Sequence, residues 1–450
     1  MPASWRYLEM KEQGNGDTCG NVPSPGPELL EKTGEILGYG DICDNCLGRF
    51  FGKRSFGITN EARGRGLRVA LALHMNVPYT EQPSSCWICN NEFQRTAQWA
   101  ARAVEAVSGI EFSTFLVGTR VPPLIAESEE MVWSDLSLAD PEPLKSEMNR
   151  EVGKQIGKLT GKKADLIHPD IVFILDLSGD VVELKVHPVF VAGRYMKYER
   201  GIPQTHWDCR ECRGAGCEKC DFTGKQYMDS VEELIGRPAA EALGGSWAVL
   251  HGSGREDIDA RMIGTGRPFI LEIESPKKRS MDLAALEALI NESAQGRVSV
   301  TLSRWCGRDD VETIKSNKAH KKYRILVEVD GTVTVEGLSL ALSAISGVTI
   351  FQRTPERVAH RRADKVRERR VLDIGYIGTE EGRYIIEVTG EAGLYIKELV
   401  SGDNGRTHPS LTEVLGMPAR VITLDVVQVE GTEEVKEDGT SQRPTKENTV

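Results

Sequence analysis

The sequence predicts an α+β protein of two or three domains, with a mixed, largely antiparallel sheet in its C-terminal half. Three observations carry this expectation. A chain of 450 residues is too long for one ordinary core. In the second half, helix-periodic stretches are mixed among separated β-rich runs. In the first half, IVFILDL and VVELKVHPVFV flank the turn Ser178-Gly179-Asp180, a hairpin pattern of two β-branched runs around a Gly-containing turn.

The elements follow in order. Residues 1–30, rich in Gly, Pro and polar side chains, read as a disordered arm, and 431–450 as a disordered tail. An N-terminal half is expected over 31–205. It contains a helix from Glu92 to Val107, where Phe93, Ala97, Ala100, Ala101, Val104 and Val107 keep helical spacing. A second helix runs from Leu144 to Leu159, ahead of the hairpin. A Cys- and Gly-rich module, 206–228, looks like a hinge. The C-terminal domain, 229–430, begins with a helix from Ser230 to Leu243, a strand from Pro268 to Glu274 and a helix from Met281 to Asn291. Strands Arg297–Arg304 and Tyr323–Val329 and a helix Leu338–Ile345 come next. Strands around Val371 and over Tyr384–Thr389, a helix from about Leu394 and a strand Arg420–Glu430 complete it.

Composition narrows the class. The chain is 40% hydrophobic and 27% charged, as expected of a soluble globular protein. No apolar run approaches the roughly 18 residues needed to span a bilayer. The start, Met1-Pro-Ala-Ser-Trp-Arg, lacks the apolar stretch of a signal peptide, so a cytoplasmic location is expected. The net charge of −11 weighs against a nucleic-acid partner, but a binding surface needs only a local basic patch. Lys315–Arg324 holds five Lys/Arg and no acid, and Arg353–Arg370 holds eight against three acids. The competing reading of each run is a solvated helix face.

Ten cysteines without a signal peptide point to metal rather than disulfides. Eight form C-x-x-C pairs: Cys43/Cys46, Cys86/Cys89, Cys209/Cys212 and Cys217/Cys220; Cys19 and Cys306 have no assigned role. The last two pairs place four ligands close together, with Gly214 and Gly216 letting the loop fold around an ion. Spacing alone fits zinc, iron–sulfur or redox chemistry.

The segment Ser253–Phe269 (SGREDIDARMIGTGRPF) sets Asp257 and Asp259 among Arg255, Arg261 and Arg267 in a Gly-punctuated loop. Such a loop could bind phosphate, hold a metal or present a carboxylate nucleophile, and its bland reading is a surface ion-pair network. Gly264-Thr265-Gly266 is too short to count as a dinucleotide fingerprint.

Gly254-Arg255-Glu256-Asp257 resembles the G-R-x-D loop of pseudouridine synthases. Lys321-Lys322-Tyr323 resembles their K-x-Y motif, and Gly393-Leu394-Tyr395-Ile396-Lys397-Glu398-Leu399 their G-x-Y-I-[RK]-x-L motif, in the same order along the chain. With QRTPERVAHRRADKVR, CDNCLGR and GRYMKYERGIPQTHW, the chain resembles the archaeal and eukaryotic tRNA pseudouridine synthases of the Pus-ten type over roughly residues 40–430.

That resemblance implies a C-terminal pseudouridine-synthase fold joined to an N-terminal, zinc-containing THUMP-type RNA-binding half. It implies Asp257 as the catalytic residue, Lys397 as its cationic partner, and Tyr323 and Tyr395 as walls around the uracil. Arg255 would enter the space left by the flipped base or contact phosphate. Lys321, Lys322, His360, Arg361 and Arg362 would contact RNA. A structural zinc is implied at Cys43, Cys46, Cys86 and Cys89, and a second is expected at Cys209, Cys212, Cys217 and Cys220. The resemblance implies action in the tRNA T loop, at uridine 54 and, as in many archaeal members, also 55.

The implied reaction breaks the N1–C1′ bond, turns the uracil and rejoins it through C5. It needs no small-molecule cofactor and no catalytic metal. The carboxylate would attack C1′ or take a proton from C2′. A zinc nucleobase deaminase would need H-x-E before P-C-x-x-C, and His206 has neither the Glu nor the spacing. A THUMP-type methyltransferase or thiolase would need a nucleotide loop that is not found. A non-catalytic zinc-ribbon RNA-binding protein leaves three ordered motifs unexplained.

Overall fold

The computed structural model describes residues 26–139 and 141–430. The tail expected over 431–450 and the arm up to residue 25, with Cys19, lie outside the described residues. Residues 26–30 do not belong to an arm. They open a helix, Gly26–Gly38, that buries Thr33 and Ile36.

The chain divides into two compact units. One is the chain up to Ser108 with Phe115–Leu166 and Val172–Leu184; the other is Gly109–Thr114, Ile167–Ile171 and everything from Lys185 on. The first contains a four-stranded sheet of β1 (Thr114–Arg120), β2 (Lys163–Ala164), β3 (Ile171–Asp176) and β4 (Val181–Val186), in the order β2-β1-β3-β4. The expected hairpin is present as β3 and β4. Its turn closes because the Asp176 carboxylate accepts the backbone N–H of Ser178 at 3.0 Å and of Gly179 at 2.9 Å.

Helix Leu144–Thr160 buries Leu144, Met148, Val152 and Ile156, a stripe of i, i+4 spacing. The stretch expected as a helix from Glu92 splits into a 3-10 turn, Glu92–Arg95, and an α-helix, Thr96–Ala106. Helices Asp44–Arg49 and Asn60–Met75 meet at Gly48 and Gly64. A Cβ at either would come within 2 Å of the opposing backbone oxygen (1.8 and 1.9 Å), so only glycine fits.

The second unit is built on a ten-stranded sheet. Its strands are β5 (Val189–Lys197), β6 (Trp247–Gly252), β7 (Arg261–Glu274), β8 (Val298–Cys306), β9 (Lys321–Val329), β10 (Thr349–Arg353), β11 (Val366–Glu380), β12 (Arg383–Gly390), β13 (Thr407–His408) and β14 (Ala419–Val429). They run in the order β13-β10-β11-β12-β9-β14-β7-β5-β8, with β6 also on β7. The β14–β7 pair is parallel and the other recorded pairs are antiparallel, which makes this the mixed, largely antiparallel sheet expected. Helices Val231–Leu243, Leu283–Ser293 and Val335–Ile345 bury Ile235, Leu243, Leu286, Ile290, Leu338 and Leu342 in its core. Among the described residues, no helix is long and apolar enough to cross a membrane.

Two differences from the sequence reading bear on the site. Residues 189–197, assigned above to the N-terminal half, form β5 between β7 and β8, so this sheet begins before the cysteine module. β5 opens with the apolar run Val189–Ala192 and buries Val191 and Tyr195, and local pattern does not say which sheet such a strand joins. Strand β7 also starts seven residues earlier than expected. It passes Gly264 and Gly266, both at φ +69°, between its β14 pairing at Arg261–Met262 and its β6 pairing from Phe269, and pairs with β5 on both sides of this point. A Cβ at Gly264 would lie 2.0 Å from the Val427 carbonyl oxygen.

Candidate active site

The loop from Ser253 to Ala260 joins β6 to β7, and buried charge fixes its shape. Glu256 and Arg267 form an ion pair at 2.9 Å with both side chains only 1% exposed. The Tyr195 hydroxyl donates to Glu256 at 2.8 and 2.9 Å, and Gln204 donates to Tyr195 at 2.9 Å and to the Gly254 carbonyl at 3.0 Å. Arg267 also donates to the Ser253 carbonyl at 2.7 Å. Beneath the loop, fully buried Lys197 donates to the carbonyls of Ile202, Ile258 and Asp257 at 2.8, 3.1 and 3.4 Å. Burial pulls the Lys197 pKa down, and the negative Glu256 and Asp259 oppose that pull. Removing one side of a buried pair costs about 3–5 kcal/mol, so this network makes the loop rigid.

With its backbone held from below, Asp257 turns its carboxylate into a cavity of about 670 Å³. Asp257, Tyr323, Arg357, Tyr395 and Lys397 line it. Arg357 Nη1 lies 3.1 Å from Asp257 Oδ1 and 3.0 Å from Oδ2. Lys397 Nζ lies 3.6 Å from Asp257 Oδ2 and 2.6 Å from Asp259 Oδ2. The structure thus sets two cations beside Asp257, and the one expected from the motif is the farther. Burial raises the Asp259 pKa, but the Lys397 ammonium outweighs it and the net shift is downward.

Arg357 was not singled out by sequence reasoning; it sits within the basic run at 353–370. Its guanidinium is anchored by buried Glu398, whose Oε1 accepts from Nε at 2.6 Å, and its Cζ lies 6.0 Å from the Tyr395 ring centroid. Burial disfavours its charge, yet Glu398 and Asp257 more than compensate and its pKa is raised. Glu398 occupies the variable position of the G-x-Y-I-[RK]-x-L motif. Its burial in a short helix, Ile396–Ser401, is the one local hint that it has a partner.

The aromatic walls come from different elements. Tyr323 projects from β9 and is 9% exposed. Burial pushes its phenol up to about 12, opposed by Arg267 and aided by Asp257. Tyr395 precedes helix Ile396–Ser401. Buried Gln352 donates to its carbonyl at 2.9 Å and accepts its N–H at 2.8 Å, while Arg362 donates to its hydroxyl at 2.9 Å.

The proposed RNA contacts separate. Lys321 lines the cavity, and burial, helped by Arg267 and opposed by Glu256, lowers its pKa to about 8. Lys322, the next residue on the strand, pairs instead with Glu387 at 2.6 Å, as the alternation of a strand requires. Arg362 lines the cavity. The side chains of His360 and Arg361 lie outside the described residues. Of the loop's three arginines, Arg261 pairs with Asp425 at 2.6 Å and Arg267 is the buried anchor. Only Arg255 stays exposed at the rim, its guanidinium 5.3 Å from the Trp207 ring centroid.

Cys43, Cys46, Cys86 and Cys89 converge, as do Cys209, Cys212, Cys217 and Cys220, with the sulfurs of each set within 4.8 Å of one another. Measured Sγ–Sγ edges are 3.7 Å for Cys43–Cys89 and 3.7, 3.8 and 3.9 Å in the second set. These edges are far too long for disulfides. They match the edge of about 3.8 Å that a tetrahedron of ~2.3 Å metal–sulfur bonds requires. In the second set, backbone N–H groups of Gly216, Cys217 and Gly224 point at the sulfurs from 3.2–3.3 Å, as around a thiolate site. Both sets can hold a metal ion.

The family profile "Pus10, C-terminal" matches residues 190–430, and "Pus10 THUMP domain, archaeal" matches 99–176. Proteins named tRNA pseudouridine synthase Pus10 align over most of the chain. The one from Halorubrum lacusprofundi is 45% identical over 90% of this chain and 97% of its own. That from Methanothrix thermoacetophila is 42% identical over 91% and 96%, and that from Methanothermobacter marburgensis 45% identical over 89% and 99%.

Proposed function

We propose that this chain, which belongs to the Pus10 family, is a tRNA pseudouridine synthase that isomerises uridine 54, and with it 55, in the T loop. One observation carries the reading. The Asp257 carboxylate projects from a rigid loop into a cavity with two cations, Arg357 and Lys397, beside it and two tyrosines around it.

The flipped uridine enters that cavity with its C1′ at Asp257. Asp257 attacks C1′ as the nucleophile and the N1–C1′ bond breaks. Tyr323 and Tyr395 hold the detached ring by stacking, worth about 1–3 kcal/mol per base, while it turns. C5 then bonds to C1′ as the Asp257–C1′ bond breaks and the carboxylate is released; C5 gives up its proton and N1 gains one. Arg357 and Lys397 hold the carboxylate in line and oppose the charge it carries before and after the attack. Arg255, Lys321 and Arg362 bind the RNA backbone around the cavity, and Lys322, His360 and Arg361 extend that surface.

Each four-cysteine set holds a zinc ion. The zinc is structural and takes no part in the reaction. The N-terminal THUMP-type unit captures the tRNA, and the enzyme works in the cytoplasm, where its substrate is. The test is incubation with an unmodified tRNA transcript, then mapping of pseudouridine by carbodiimide-blocked primer extension. Stops one nucleotide 3′ of positions 54 and 55 are expected with the native chain and none with Asp257→Asn. Tight tRNA binding without any stop would instead identify a non-catalytic RNA-binding protein.

A further inference from the structure

The second cysteine module is built against the catalytic loop. Its two feet are zipped together: Asp208 bridges Lys225, Cys209 N–H donates to the Gly224 carbonyl at 2.7 Å, and Gln226 N–H to the Trp207 carbonyl at 2.9 Å. At the root, Trp207 meets Tyr227 edge to face, with ring centroids 5.8 Å apart. The feet are tied to the start of helix Val231–Leu243. His206 N–H donates to Glu232 at 3.2 Å, and Lys225 pairs with Glu233. Trp207 is therefore a fixed ring, and it forms part of the wall of the cavity that holds Asp257.

Above this ring lies the Arg255 guanidinium, 5.3 Å from its centroid. Arg255 follows Gly254, whose φ of +77° sets the loop's turn, and its side chain is exposed. A long exposed side chain carries large rotamer entropy, which must be given up when it engages RNA. A cation–π contact to a fixed indole restricts that freedom beforehand.

We propose that Trp207 is a positioning residue for Arg255, holding its guanidinium at the cavity rim so that it meets the uridine's strand already oriented. The cysteine module thus serves catalysis as the mount of this ring. The proposal rests on the reading of Arg255 as an RNA contact of a pseudouridine synthase.

The test is a double-mutant cycle on the full-length, metal-loaded chain. Trp207→Ala, Trp207→Phe, Arg255→Ala and the Trp207→Ala/Arg255→Ala pair are compared for affinity to an unmodified tRNA transcript and for single-turnover rate. Zinc content and melting temperature are measured on each. In the native background, Trp207→Ala is expected to weaken both readouts by about two- to fivefold, the scale of an exposed cation–π contact. Trp207→Phe should restore most of that. In the Arg255→Ala background, Trp207→Ala should cost nothing further, with zinc and melting unchanged throughout.

An equal penalty in both backgrounds, no penalty in the native one, or a penalty that tracks loss of zinc each overturns the proposal. A native chain that binds tRNA but makes no pseudouridine sinks the enzymatic reading instead, and the cycle in affinity still decides the coupling.

Discussion

The Cys43–Cys89 set is wholly buried; Cys43 caps and Cys46 lies within helix Asp44–Arg49, while Cys86 and Cys89 come from a turn after helix Asn60–Met75. Buried charge surrounds it: Asp44 pairs with Arg68 at 3.1 Å, and fully buried Arg49 pairs with Glu129. The Cys209–Cys220 set holds the same four thiolates in one short loop, half-exposed and needing little beyond its own backbone. The ligand type does not say what the metal holds together; the surroundings do. An ion in the first set ties distant segments into a core, and one in the second shapes a local module. The same contrast separates Asp257, held by both Arg357 and Lys397, from the more exposed Asp259.

The largest expected effect tests the two aspartates. Asp257→Asn should lower the single-turnover rate by on the order of 10⁴-fold or more while tRNA affinity, set mainly by phosphate contacts, stays within a few-fold. Asp259, 66% exposed against 34% for Asp257, should tolerate Asn with a loss of about tenfold or less. Reversal of that order would move the nucleophile by two residues.

Next come the metal sets. Cys43→Ser should unfold the first unit, because metal-binding energy there is folding energy. The metal content should drop from about two ions to about one per chain, and a separate low-temperature transition should appear on melting. Cys212→Ser should lose the other ion with the main melting transitions in place. Equal melting curves for the two variants would erase the contrast between them.

For the cations, Arg357→Met should cost on the order of 10²–10³-fold in rate, since it strands buried Glu398 and leaves Asp257 only the Lys397 that it shares with Asp259. Lys397→Met should cost about ten- to a hundredfold, because Arg357 remains on Asp257. A fully active Lys397→Met would leave Arg357 as the sole working partner.

The smallest effect is in pH. Lys321 titrates near 8 in the folded chain, below its usual range, because burial and Arg267 disfavour its charge. It is a cation below that pH and neutral above it, so tRNA affinity should fall as pH rises through about 8. The salt slope of binding should shrink by about one ion. Lys321→Met should remove that pH step. For stability the sign is opposite: between about 8 and the ordinary lysine range the unfolded chain binds the extra proton, so this residue's contribution to stability rises with pH.

The sequence by itself determined the class of chemistry and much of the framework. Asp257, Tyr323, Tyr395 and Lys397 sit in short motifs whose spacing is local, and all four line the same cavity. The two cysteine sets are visible as C-x-x-C pairs, and helices Thr96–Ala106, Leu144–Thr160 and Val231–Leu243 announce themselves by period. Only the tertiary structure decided the rest. Arg357 reaches Asp257 across 100 residues of chain, Glu398 acquires its partner by burial, and β5 joins a sheet whose other strands follow the cysteine module. Lys321 and Lys322 part company because neighbouring residues on a strand face opposite sides. The physical reason is one of range. Period and spacing fix what a segment of a few turns does, whereas the partner of a buried charge depends on which distant strands lie in register, and no local pattern encodes that.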